Sequence, residues 1–188
     1  MENTKLDKLV NDGLNANDNG FCTVIALAVA FDKTYQEAAQ IMRGYGRRHR
    51  RGMHRHDMEY AIQTEAIKHG YSYSVYDSEH VRDGEIRVNA HRRRTEVSVQ
   101  EKFGVIGKMT VNNCLRYLNP KKKYIIGVRG HAVAVAEGKV QDWTEGRRHQ
   151  VKHIIELDVP QAESPQKPEI KPIIKKASLS LDDMISLL

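Results

Sequence analysis

The longest apolar stretch of the chain, Val24 to Phe31, is eight residues long and has no polar face. A helix of that kind belongs in the middle of a core. The ten residues before Phe21, from Asn11 to Gly20, are nearly all turn formers. The pattern therefore predicts a loop over 11–20 that runs straight into a buried helix, with Cys22 in the first turn of that helix. Thr34, with Glu37 three residues on, reads as a capping box that opens a second helix ending near Gly44. An arginine-rich loop follows, and a third helix is expected from Asp57 to His69, stopped by Gly70.

The period then changes. Tyr71 to Tyr76 alternates aromatic or aliphatic residues with Ser and reads as a strand. Residues 77–103 are polar and define no clear element. Thr110 is placed to cap a short helix through Leu118, which Asn119 and Pro120 end. Tyr124–Val128, Ala132–Ala136, Lys139–Trp143 and Val151–Leu157 are β-rich runs separated by turns that contain glycine, and they predict an antiparallel meander. Helices first and strands afterwards give an α+β class, with N-terminal helices packed on a C-terminal antiparallel sheet. That domain is expected over residues 1–159.

From Pro160 the composition shifts to Pro, Lys, Glu and Gln, which predicts an extended linker. It leads into Ser180–Leu188, where Leu181, Met184, Ile185 and Leu188 form one apolar helical stripe. So short a helix is not stable alone and needs a docking surface, on this chain or another, and a protein partner is expected.

Composition narrows the class. A 40% apolar and 29% charged chain is ordinary for a globular domain. No apolar run approaches the roughly 20 residues that span a bilayer, so no membrane role is expected. The charged start, Met1 to Lys8, lacks the apolar core of a signal peptide, and residence in a reducing cytoplasm is expected. Cys22 and Cys114 are too few for a disulfide framework, and no Cys-x-x-Cys pair exists to capture a metal. His54, His56 and Asp57 match no defined metal spacing, so neither metal nor cofactor is expected.

The net charge of +6 is local. Six arginines and no acid lie between Arg43 and Arg55, which equals the excess of the whole chain. Within that segment Arg47, Arg48, Arg50 and Arg51 are candidates for the rim of a cleft that takes an acidic substrate, or for contact with nucleic acid.

A cysteine at a helix N-terminus has its thiolate stabilised by the helix dipole and by unpaired N–H groups. Such a nucleophile also needs a base and a group that orients the base. His131 follows Gly130 at the start of a strand, and Asp142 lies eleven residues later, across the Glu137-Gly138 turn. A hairpin there brings the two within side-chain reach, with Trp143 shielding the bond from water. Cys114 sits inside a helix and reads as core packing.

Cys22 followed by Thr-Val-x-Ala-Leu-Ala-x-Ala resembles a group of small phage-encoded papain-like proteins. So do Thr34-Tyr-Gln-Glu-Ala38, the Gly-Arg-x-x-Arg-x-Gly loop from Gly46 to Gly52, and the segment from Gly130 to Trp143. The resemblance spans about residues 15–145. It implies a papain-like fold and a Cys22–His131–Asp142 triad that hydrolyses or transfers amide-type bonds of a protein or peptide substrate. It also implies residence in a host cytoplasm or association with the virion. The papain signature itself, with Gln upstream of the nucleophile, is absent. The oxyanion donor from a side chain would then be Asn17 or Asn19. The alternative function is a catalytically inactive phage protein that keeps the fold for a virion structural or host-interaction role.

Overall fold

The computed structural model describes residues 4–82, 85–88, 97–105 and 107–159. Four helices come first: α1 (Thr4–Asn15), α2 (Cys22–Ala30), α3 (Tyr35–Gly44) and α4 (Arg55–Lys68). Then come β1 (Ser72–Asp77) and the hairpin of β2 (Glu79–Arg82) with β3 (Glu85–Val88), followed by the short helices α5 (Val99–Phe103) and α6 (Val111–Cys114). The last strands are β4 (Lys123–Val128), β5 (His131–Ala136), β6 (Lys139–Gln141) and β7 (His153–Asp158). The chain is α+β. Among the described residues no helix is long and apolar enough to cross a membrane. The linker and the stripe of Leu181, Met184, Ile185 and Leu188 lie outside the described residues.

α2 starts at Cys22, and all eight residues from Thr23 to Ala30 are buried, as an all-apolar helix demands. Thr34 caps α3 through a complete capping box with Glu37. The loop expected over 11–20 is shorter than the turn-former count implied, because α1 runs on to Asn15. Its stop is a Schellman motif: Asn17 N–H donates to Leu14 O, Asp18 N–H donates to Gly13 O, and Asn17 sits at φ 51.

The five-stranded sheet has the order β1-β7-β4-β5-β6, and every pair in it is antiparallel. The expected meander holds for β4, β5 and β6 only. β7 returns instead to the other side of β4 and joins it to β1. Alternation along the strands sends Ile125, Ala132, Ala134, Ile155 and Leu157 into one core with α2, α3 and α4. The intervening Tyr124, Ile126, Val133, Val135 and Ile154 enter a second core with Val99, Met109, Val111 and Cys114. The sheet is thus covered on both faces, which explains why β4 is buried along almost its whole length.

Gly127 opposes His153 across β4 and β7, and a Cβ there would overlap the imidazole ring. Burial and the nearby Arg55 guanidinium push the His153 pKa down to about 3, so the ring packs on Gly127 as a neutral group. Gly127→Ala is expected to destabilise the chain by about 1–3 kcal/mol. Gly44→Ala, in open space within α3, should instead stabilise it by about 0.5–1 kcal/mol. Urea unfolding of both variants checks the pair of signs.

Candidate active site

Cys22 is the first residue of α2, and Phe21 before it provides no side-chain cap. The unpaired N–H groups of the first turn therefore remain available to the thiol. The backbone amides of Ala132, from β5, and Thr23 both act on the sulfur and favour its thiolate. α2 packs against β5, and this packing carries Cys22 to the first residue of that strand, His131.

The turn before β5 is tight. Val128 pairs with His131, and Gly130 between them has φ 71, a conformation that favours glycine. The imidazole hydrogen-bonds Cys22 on one side. On the other side Nε2 donates to both carboxylate oxygens of Asp142, at 3.0 and 3.1 Å. Nε2 is thus occupied, which leaves Nδ1 for the thiol.

Asp142 lies just beyond the end of β6 rather than within a paired strand. Its side chain is 1% exposed. Thr144 fixes it, donating from its backbone N–H at 2.7 Å and from its hydroxyl. The Glu137-Gly138 turn has φ 54 and 71 at its two residues, and it sets the register that returns Asp142 to His131. Trp143 stands edge-on to His131 at 5.0 Å between ring centres and touches Phe21 at the same separation. Trp143 thus stands against the His131 ring, with 42% of its own surface exposed. His149 closes another side, its ring centre 5.9 Å from that of His131.

The electrostatics follow from these contacts. Burial works against a Cys22 thiolate, but the His131 hydrogen bond and the Ala132 and Thr23 amides outweigh it and hold the thiol below its ordinary value. Burial likewise opposes an imidazolium at His131. Asp142 and Cys22 prevail and raise its pKa to about 9. The two shifts act in the same sense, each favouring the thiolate–imidazolium pair over the neutral one. Cys114 is the opposite case: burial pushes its thiol up to about 12, and its Sγ donates to Val111 O. It is a core residue.

The approach to Cys22 is built around Asp18, which is 1% exposed. Its carboxylate accepts from Tyr35 OH at 2.8 Å, from Arg47 Nη2 at 2.7 and 2.9 Å, and from the N–H of Arg50 at 3.1 Å and of Gly20 at 3.2 Å. Arg47 Nη2 also donates to Gly20 O. A Cβ at Gly20 would come within 2.7 Å of the Arg51 carbonyl carbon, so only glycine lets the two loops touch. Arg47 must therefore be moved from the exposed rim to the interior. Its side chain is buried in an ion pair with Asp18 and presents no charge to a polyanion. Arg48, Arg50 and Arg51 remain exposed.

Asn17 and Asn19 are both exposed, and neither side chain makes a hydrogen bond among the described residues. Asn17 serves as the left-handed stop of α1. The sequence reading passed over Asp18 between them, and also Thr144. The second had a local signal: Asp142 followed two residues later by Thr is the spacing of a side-chain turn. Asp18 had the same two-residue spacing to Gly20, but its other partners, Tyr35, Arg47 and Arg50, are remote in sequence.

No family model, curated protein or solved structure matches this chain.

Proposed function

We propose that the chain is a papain-like cysteine hydrolase, acting on peptide or related amide bonds. The observation that supports this most is the chain of contacts from Cys22 to His131 to Asp142, with Nε2 held by the carboxylate and the other face of the ring on the thiol. The four segments that resemble phage-encoded papain-like proteins support the same assignment and a phage origin.

In this mechanism the Cys22 thiolate attacks the carbonyl carbon of the substrate and forms a tetrahedral oxyanion. The Cys22 backbone N–H, at the start of α2, donates to that oxyanion, and the amide of Asn17 or Asn19 is the side-chain candidate for a second donor. His131, as imidazolium, protonates the leaving amine, and a thioester remains at Cys22. The neutral imidazole then takes a proton from water as the hydroxide attacks the thioester carbon, the C–S bond breaks, and the acid product leaves behind the Cys22 thiolate and the His131 imidazolium. Asp142 holds the ring in one tautomer throughout.

Alkylation by iodoacetamide at neutral pH tests the reading. Cys22 should react at least about a hundredfold faster than Cys114, as a low-pKa thiolate against a buried thiol. Peptide mapping of the modified chain reads the ratio. Equal rates would remove the nucleophile and leave a non-catalytic role for the fold.

A further inference from the structure

Solvent-facing arginines lie in two segments whose neighbouring residues adjoin the Cys22–His131 pair. Arg48, Arg50 and Arg51 belong to the loop whose backbone rests on Gly20, two residues before Cys22. Arg147 and Arg148 belong to the segment that runs from Asp142 to His149 and wraps the His131 ring. None of these five has an ion-pair partner among the described residues. Of the acids nearby, Asp18 and Asp142 are buried and already engaged by Arg47 and His131, and only Glu145 faces solvent within the second segment.

The first group is held in place rather than merely present. Asp18 accepts the Arg50 N–H, and Arg50 is kept at φ 60, a conformation that costs a residue with a Cβ about 1 kcal/mol or more. His49 Nε2 is bonded to Ala16 O at 3.0 Å. The loop is thus fastened to the approach to Cys22 at several points. Positive groups clustered in two segments that adjoin a reactive pair, with no ion-pair partner among the described residues, raise the local concentration of an anionic ligand.

We propose that this rim selects acidic peptides, with aspartate or glutamate near the bond presented to Cys22. The proposal rests on the hydrolase reading above and names its substrate class. A peptide fits the cleft better than a nucleic acid does. Phe21 is buried against Trp143, which alone stands exposed beside His131, so among the described residues the site has no row of aromatic faces on which successive bases could stack.

The test uses the full chain and two peptidyl vinyl sulfones with one common core, one bearing an oligoglutamate arm and the other an oligolysine arm. Both rates are normalised to the rate with uncharged iodoacetamide. At low ionic strength the glutamate reagent should modify Cys22 roughly tenfold or more faster than the lysine reagent. Joint replacement of Arg48, Arg51, Arg147 and Arg148 by Ser should bring the ratio close to one, and so should high salt. Equal rates in the native chain, or a preference that survives the replacement, overturn the proposal. If iodoacetamide modifies Cys22 no faster than Cys114, the hydrolase reading fails on its own. The rim is then judged by fluorescence anisotropy of a labelled oligoglutamate peptide on the Cys22→Ala chain. Salt-sensitive binding that the arginine replacements abolish supports the rim, and absence of binding overturns it. A single-stranded oligonucleotide that displaces the peptide at lower concentration also overturns it, in favour of nucleic acid.

Discussion

Replacing Arg47 with alanine is expected to destabilise the chain by about 3–5 kcal/mol, the cost of leaving a buried charge without its partner. Asp18 would keep its burial and its Tyr35 hydrogen bond but lose the cation that holds its carboxyl below the ordinary range against the opposing effect of burial. Loss of the Arg47 contact to Gly20 O also frees the loop before Cys22. Arg48→Ala and Arg51→Ala, a few residues away on the exposed face of the same loop, should each change stability by no more than about 0.5 kcal/mol. Urea denaturation of the three variants reads the contrast. Asp18→Asn in the Arg47→Ala background should recover part of the loss, because the uncompensated charge is then gone. Three variants of equal stability would mean that the buried pair does not hold these loops together.

The second large effect belongs to His131. In the native chain the thiolate persists down to the lowered pKa of Cys22, and its imidazolium partner persists up to about pH 9. Hydrolysis should therefore rise as Cys22 loses its proton on the acid side and fall as His131 loses its own near pH 9. His131→Ala removes the largest contact that favours the thiolate and leaves burial, which acts the other way. The alkylation rate of Cys22 at about pH 6.5 should drop roughly a hundredfold, and the variant should regain speed only above the ordinary thiol pKa. Stopped-time alkylation across the pH range gives both profiles. Superimposable profiles would sever the thiol from the imidazole.

Much of this was legible in the residues because it is local. The all-apolar run after Cys22 specifies a buried helix, and the Thr34–Glu37 spacing specifies where α3 begins. The Glu137-Gly138 turn fixes a hairpin whose register can be counted by hand, and this places His131 near Asp142. What escaped was remote or two-sided. β7 reads as one more strand of a meander, yet its place between β1 and β4 depends on pairing with residues far back in the chain. Arg47 is indistinguishable in sequence from Arg48, since both lie in one basic run. Only the position of Asp18, on a loop that precedes another helix, decides which of them is buried. The second core escaped for the same reason: continuous apolar strands show that both faces are covered without showing which short helices cover them.

The central position of β7 also bears on how the chain is made. Ser72 and its neighbours in β1 have no strand to pair with in the sheet until His153–Asp158 has been synthesised, because β7 alone joins β1 to the rest. Pairings of such long sequence separation close late and slowly. While the ribosome is still extending the chain, β1 presents an open edge and α2 lacks the strand that covers it. The helical first half, with its apolar α2, must wait partly uncovered until β5 has emerged to pack on it, which makes the nascent chain a natural client for chaperones. The thiol at Cys22 acquires its imidazole only after β5 has emerged, so the chemistry of the site stays switched off for most of translation.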